Sequence, residues 1–124
     1  MRPASEEAFV LPELTPRELA EWLEQRPDLI LLDVREPYEL PRAKLTDERV
    51  VYAPLSSLAR KHLEGLPEKV KQGRSATVVV FCHHGIRSAQ VAAWLHSLGW
   101  SAVYNLSGGI DAYARQVDPR IGTY

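Results

Sequence analysis

The chain has little cysteine, no long apolar run and no excess of charge of either sign, and each absence excludes a class of function. It contains one cysteine, so an internal disulfide is impossible and an oxidising compartment is not required. Fifteen lysine and arginine residues against 16 aspartate and glutamate residues give a net charge of −1. This balance argues against a broad basic face for nucleic acid or an anionic membrane. No apolar stretch approaches the ~18 residues that a membrane-spanning helix needs.

The length and the two ends of the chain predict one compact unit. The 124 residues suffice for a single domain over residues 1–124 and are too few for two ordinary ones. Residues 1–8 form a loose lead-in without the apolar segment of a signal peptide, and residues 117–124 form an irregular tail. We therefore expect a cytoplasmic monomer without nucleic-acid or membrane partners.

Apolar runs alternate with helix-like patterns along the chain. The apolar runs predict strands over residues 9–11, 29–32, 50–53, 77–81 and 102–106. Capping residues and helical spacing predict helices that begin after Thr15 and Pro54, and others over 89–98 and 110–116, with loop over 40–49. This alternation predicts an α/β fold of three layers, with a roughly five-stranded, mostly parallel sheet covered by helices on both faces. Ligands of such sheets bind beyond the carboxyl ends of the strands, where this chain places Asp33, Arg35, Cys82, Asn105, Gly108 and Gly109.

The most informative of these strand ends is the Cys82 loop, residues 82–88, which reads Cys-His-His-Gly-Ile-Arg-Ser. The loop joins a buried strand to the N-terminus of a helix, where free amides and the helix dipole favour an anion. Arg87 adds a permanent positive charge. A lone cysteine is often an inert core residue, but this position favours a stabilised thiolate.

Three segments together carry a resemblance to a known family: Asp33-Val34-Arg35-Glu36-Pro37, the Cys82 loop, and residues 103–113, which read Val-Tyr-Asn-Leu-Ser-Gly-Gly-Ile-Asp-Ala-Tyr. In this order and at this spacing they resemble the rhodanese family of sulfurtransferases, over about residues 9–124. The resemblance implies a rhodanese-like three-layer fold and an enzyme of the thiosulfate:cyanide class, with no metal and no organic cofactor.

The resemblance also implies a mechanism. The Cys82 thiolate takes sulfane sulfur from a donor such as thiosulfate, and the resulting persulfide sits among the loop amides. A nucleophilic acceptor then attacks the outer sulfur; it is cyanide in the assay, and a thiol or a sulfur-carrier protein in cells. The implied active-site loop comprises His83, His84, Gly85, Ile86, Arg87 and Ser88. Arg35 would lie near the pocket mouth and contact an anionic substrate, while Asp33 would support the structure; alternatively, the two simply pair with each other.

Two other functions stay open. The first is a non-catalytic persulfide carrier or docking module in a sulfur relay. The second is a cysteine phosphatase or arsenate reductase, whose loops resemble Cys-x5-Arg and are one residue longer than the Cys-x4-Arg loop found here. A phosphoryl group needs a wider cradle than one added sulfur atom, so the shorter loop favours sulfur. The absence of a second cysteine argues against a self-contained redox reductase.

The two histidines of the loop do not predict a general base or a metal site. If the loop amides point at the sulfur, the side chains of His83 and His84 must point outward. Adjacent residues also do not converge easily on one ion. The chain departs from the family pattern over residues 40–49 and at Tyr113, where tryptophan is common. The tail over 117–124 is similar to the ends of rhodanese domains fused to sulfur-carrier adenylyltransferases, which hints at a sulfur-carrier partner.

Overall fold

The computed structural model describes residues 9–124, and the predicted lead-in over residues 1–8 lies outside the described residues. Its strands are β1 (Glu13–Leu14), β2 (Ile30–Asp33), β3 (Val50–Tyr52), β4 (Thr77–Phe81) and β5 (Ala102–Leu106). Its α-helices are α1 (Pro16–Gln25), α2 (Leu55–Lys61), α3 (Glu68–Lys71), α4 (Ile86–Ser97) and α5 (Gly109–Gln116). Short 3₁₀ turns cover Pro37–Glu39, His62–Gly65 and Pro119–Ile121. No helix within the described part of the chain is long and apolar enough to cross a membrane.

The five strands form one sheet in the order β1-β5-β4-β2-β3, and every neighbouring pair is parallel. Alternate residues of the central strands point to opposite faces, so each strand is buried on both sides. Leu31 and Val79 pack with α1 and α5 on one face, whereas Leu32 and Val80 pack with α2, α3 and α4 on the other. The predicted three-layer α/β fold is confirmed, and its sheet is wholly parallel.

Helix α1 begins where its capping residues predict. The Thr15 hydroxyl accepts a hydrogen bond from the Glu18 amide at 3.1 Å, and the Glu18 carboxylate accepts one from the Thr15 amide at 2.9 Å. Pro16 occupies the first turn, where its missing N–H costs nothing. This reciprocal pair satisfies two amides that the first helical turn leaves without partners.

The strand predicted over residues 9–11 is wrong. Phe9 and Val10 are exposed, and the edge of the sheet is formed instead by β1, whose Leu14 is buried. The Pro12 carbonyl accepts from the Asn105 amide at 2.9 Å and the Leu14 carbonyl from the Ser107 amide at 2.8 Å. Pairing with the free edge of β5, rather than local apolar content, decides which residues form the edge strand.

The sheet brings three strand ends to one edge. Asp33, the last residue of β2, lies beside Phe81, the last residue of β4. On the other side of β4, Val80 pairs with Asn105 of β5. Cys82 therefore leaves the sheet between the ends of β2 and β5, as expected of a parallel sheet whose chemistry gathers at its carboxyl edge.

Candidate active site

The sulfur atom of Cys82 lies at the centre of the Cys82 loop, and the residue is 1% exposed. The Gly85 amide lies 3.2 Å from the sulfur and the Ser88 amide 3.4 Å from it, and both donate to it. The Ser88 hydroxyl oxygen lies 3.3 Å from the same atom, while its hydrogen is donated to Asn105. Donors aimed at one sulfur stabilise negative charge on it, because backbone amides of a helix N-terminus carry fixed partial positive charge.

Hydrogen bonds from outside the loop hold the carbonyls at its start. The Cys82 carbonyl accepts from the Ile110 amide at 2.9 Å, and the His83 carbonyl accepts from the Asp111 amide at 3.1 Å. Both donors belong to the first turn of α5, whose N-terminal amides have no partners within the helix. The N-terminus of α5 therefore fixes the orientation of the first two peptide groups of the loop.

Gly109 makes this close approach possible. Its φ angle is +67°, and a Cβ atom there would overlap the His83 carbonyl and lie 2.6 Å from the Cys82 carbonyl oxygen. Only glycine adopts this backbone conformation without strain and leaves room for the loop. The predicted close packing of the two glycines beside the Cys82 loop is therefore seen in the structure.

Asn105 joins both ends of the loop to the sheet. Its buried amide nitrogen donates to the Gly85 carbonyl at 3.0 Å and to the Glu13 carboxylate at 3.1 Å. Its oxygen accepts from the Ser88 hydroxyl at 2.6 Å. The sequence analysis placed Asn105 at the edge of the sheet but not in the site. The available signal was an amide side chain inside the otherwise apolar run of β5.

Arg87 forms a bidentate ion pair with Glu39. Its Nη1 lies 2.6 Å from Oε2 and its Nη2 lies 2.9 Å from Oε1. The Arg87 guanidinium lowers the pKa of the Glu39 carboxyl from its usual 4.5 to about 2, and the carboxylate in turn raises the pKa of Arg87. The Tyr124 hydroxyl also donates to Glu39, at 2.9 Å. Neither Glu39 nor Tyr124 was predicted in the site, since no local sequence pattern marks them.

Arg35 does not occupy the position expected of a substrate-binding residue. Its side chain is fully buried, and its Nη2 lies 2.9 Å from the Asp33 carboxylate. Its Nη1 donates to the Ala43 carbonyl at 2.9 Å and to the Tyr124 hydroxyl at 3.2 Å. A buried guanidinium must be paired, and Asp33 two residues earlier supplies the charge. The structure thus shows the alternative, in which Asp33 and Arg35 pair with each other.

The imidazoles of His83 and His84 lie on the rim of the loop. The His83 ring stacks on Tyr124, with ring centres 3.7 Å apart, and burial lowers the pKa of His83. The His84 ring is more than half exposed, and its Nδ1 lies 3.9 Å from the Asp111 carboxylate. Ile86 is 73% exposed. It is the first residue of α4, which begins three residues earlier than the helix predicted over 89–98. Across residues 9–124, no cluster of three or more His, Cys, Asp or Glu residues is placed to hold a metal ion.

Comparison with known proteins identifies the family. The rhodanese-like domain family matches residues 15–116, and the chain belongs to this family. A sulfurtransferase of Allochromatium vinosum is 32% identical over 104 residues, which cover 83% of this chain and 88% of that protein. A rhodanese-related protein of Thermoplasma volcanium superposes with a TM-score of 0.66 at 28% identity, covering 86% of this chain and 93% of its own.

A longer relative shares the same domain. The probable adenylyltransferase/sulfurtransferase MoeZ of Mycobacterium tuberculosis is 36% identical over 111 residues, which cover 90% of this chain and 26% of that protein. This chain therefore spans about a quarter of the length of MoeZ. The shared part is the rhodanese-like domain that the structure describes.

Proposed function

We propose that this chain is a sulfurtransferase that carries sulfane sulfur as a persulfide on Cys82. The observation that carries the proposal is the convergence of the Gly85 and Ser88 amides on one cysteine sulfur. These donors suit a thiolate before transfer and a persulfide after it. The names of two relatives, both sulfurtransferases, support sulfur transfer as the activity of the domain.

The transfer proceeds in two displacements. The Cys82 thiolate attacks the sulfane sulfur of the donor, a new S–S bond forms, and the leaving group departs with the electron pair of the broken bond. With thiosulfate the leaving group is sulfite. An acceptor nucleophile then attacks the outer sulfur of the persulfide, and the Cys82 thiolate leaves. Each step exchanges one bond at sulfur for another, so no external oxidant or reductant is consumed.

The size of the loop supports sulfur transfer over phosphate chemistry. Four residues separate Cys82 from Arg87, one fewer than in the Cys-x5-Arg loops of phosphatases. The shorter loop suits one added sulfur atom better than a phosphoryl group with three peripheral oxygens.

The proposed acceptor in the cell is a thiol or a sulfur-carrier protein. The likeness to MoeZ, whose name pairs adenylyltransferase with sulfurtransferase, supports a carrier protein. The exposed Ile86 in the Cys82 loop offers an apolar contact for such a partner.

A single assay series tests the proposal. Wild-type protein and Cys82→Ser are incubated with thiosulfate and cyanide, and thiocyanate is measured; hydrolysis of an aryl phosphate is measured in parallel. We expect thiocyanate from the wild type and none above background from the variant. Turnover by Cys82→Ser would refute the role of Cys82, and phosphate hydrolysis faster than sulfur transfer would refute the proposed reaction.

A further inference from the structure

The three arginines that the structure ties to the Cys82 loop and its immediate partners all have carboxylate partners. Arg87 of the loop pairs with Glu39. Arg35, which shares the Tyr124 hydroxyl with Glu39, pairs with Asp33. Arg115 lies 3.0 Å from Asp111, the residue that faces His84. The sum of these six charges is zero, so within residues 9–124 these ion pairs present no net positive charge to an anion that approaches the sulfur.

Glu39 is not free to move away from Arg87. Its carboxylate accepts two hydrogen bonds from Arg87, one from the Tyr124 hydroxyl and one from the Glu36 amide at 2.9 Å. Its side chain is only 7% exposed. Bidentate pairs of arginine and carboxylate are among the strongest charged hydrogen bonds in proteins. A second anion that approaches Arg87 therefore meets the neutral Arg87–Glu39 ion pair and not a free positive charge.

We infer that Glu39 is a specificity residue that selects against doubly charged sulfur donors. The inference rests on the proposed function and concerns its donor. Thiosulfate is a dianion, and its attack by the Cys82 thiolate brings like charges together in a site whose ion pairs cancel. An organic persulfide carries at most one charge on its S–SH group. Its outer sulfur passes to the Cys82 thiolate, which forms the enzyme persulfide, and the parent thiolate leaves with the bonding electron pair. The site therefore favours organic persulfides over thiosulfate.

The salt dependence of the wild-type protein tests this inference without any substitution. The rate at which Cys82 gains one sulfur atom is measured by rapid quenching and intact mass, with thiosulfate and with cysteine persulfide, as inert salt is added. Screening weakens repulsion between like charges, so we expect the thiosulfate rate to rise with salt and the persulfide rate to change less. A thiosulfate rate that falls with salt would show attraction by an open cation and would overturn the inference.

Glu39→Gln provides a gain-of-function test, with Glu36→Gln as its matched control. Glu36 lies on the same short segment, and its carboxylate bonds Ser56 rather than an arginine. We expect Glu39→Gln to accelerate sulfur uptake from thiosulfate at least about tenfold, because the substitution removes a negative charge that repels the dianion and leaves the Arg87 guanidinium without its carboxylate. Glu36→Gln should stay within about twofold of the wild type.

The remaining outcomes are also decisive. A folded Glu39→Gln that takes sulfur from thiosulfate no faster than the wild type would overturn the inference. If that variant does not fold, the salt dependence of the wild type decides. Failure of the wild type to gain sulfur from either donor would refute the proposed function itself, which separates the two conclusions.

Discussion

Replacing Gly109 by alanine tests whether the first turn of α5 holds the Cys82 loop in shape. Gly109 has a φ angle of +67°, where a residue with a Cβ atom costs about 1–2 kcal/mol. The new Cβ would also overlap the His83 carbonyl, so the loop or the helix must move. Movement weakens the hydrogen bonds that Ile110 and Asp111 donate to the loop carbonyls, each with a net contribution of about 1 kcal/mol. The expected loss of unfolding free energy is about 3–4 kcal/mol.

Two measurements check this prediction. Urea unfolding gives the change in stability, and intact mass after exposure to a sulfane donor gives the rate at which Cys82 gains sulfur. We expect Gly109→Ala to lower both, because movement at the start of the loop displaces Cys82 relative to the Gly85 and Ser88 amides that face its sulfur. Gly73→Ala is the matched control, since a Cβ atom there meets no atom within 4 Å. The control should lie within about 0.5 kcal/mol of the wild type.

The reasoning fails if Gly109→Ala unfolds at the wild-type urea concentration and takes up sulfur at the wild-type rate. Loss of stability with unchanged sulfur uptake would show that the contact supports the fold but does not orient the loop.

Three further predictions follow from the same geometry. Ser88→Ala leaves the buried side-chain oxygen of Asn105 without its donor, so we expect urea unfolding to show a loss of about 1–3 kcal/mol in the free energy of unfolding. Sulfur uptake should be slower but not abolished, because both loop amides remain. Asp33→Ala leaves the Arg35 guanidinium buried without its partner, so urea unfolding should show a loss of about 3–5 kcal/mol in the free energy of unfolding. Arg35→Met, which leaves no buried positive charge, should lose less. Arg87 lowers the pKa of the Glu39 carboxyl to about 2, against 4.5 in the unfolded chain. The ionised carboxylate therefore stabilises the fold fully at pH values above 4.5. Up to about 3 kcal/mol should therefore be lost as the pH falls from 4.5 to 2, a loss that Glu39→Gln should not show in acid unfolding.

The elements that carry a strong local signal were predictable. The apolar run before Cys82 is strand β4 with the expected bounds, and the Thr15 capping box starts α1. The Cys82 loop could be identified because its glycine, cysteine and helix start are adjacent in sequence. The contacts of the capping box and the Cys82 loop join residues within a few positions of one another, and β4 is visible as a continuous apolar run.

The partners that complete the site were not predictable, because they are distant in sequence. Glu39 lies 48 positions from Arg87, and Tyr124 lies 85 positions from Glu39. Their side chains meet only after the sheet aligns β2 beside β4 and the C-terminal tail returns across the edge. The two alternatives for Arg35 stayed open for the same reason: the charge is visible in the sequence, but its enclosure by the Ala43 carbonyl and the Tyr124 ring is a property of the folded chain.

The short edge strand shows the limit of apolar patterns. Strand β1 contains two residues, Glu13 and Leu14, which is too few for any periodicity. The neighbouring Phe9 and Val10 are more apolar but lie in solvent. Hydrogen bonding to the free edge of β5, which the local sequence does not encode, decides which residues form the strand.

The most direct test is the mass of the intact protein after incubation with a sulfane-sulfur donor and removal of the excess. The wild type should gain the mass of one sulfur atom, a reductant should remove it, and Cys82→Ser should gain nothing. A wild-type protein whose mass stays unchanged with every donor, or an equal gain in Cys82→Ser, would contradict the account.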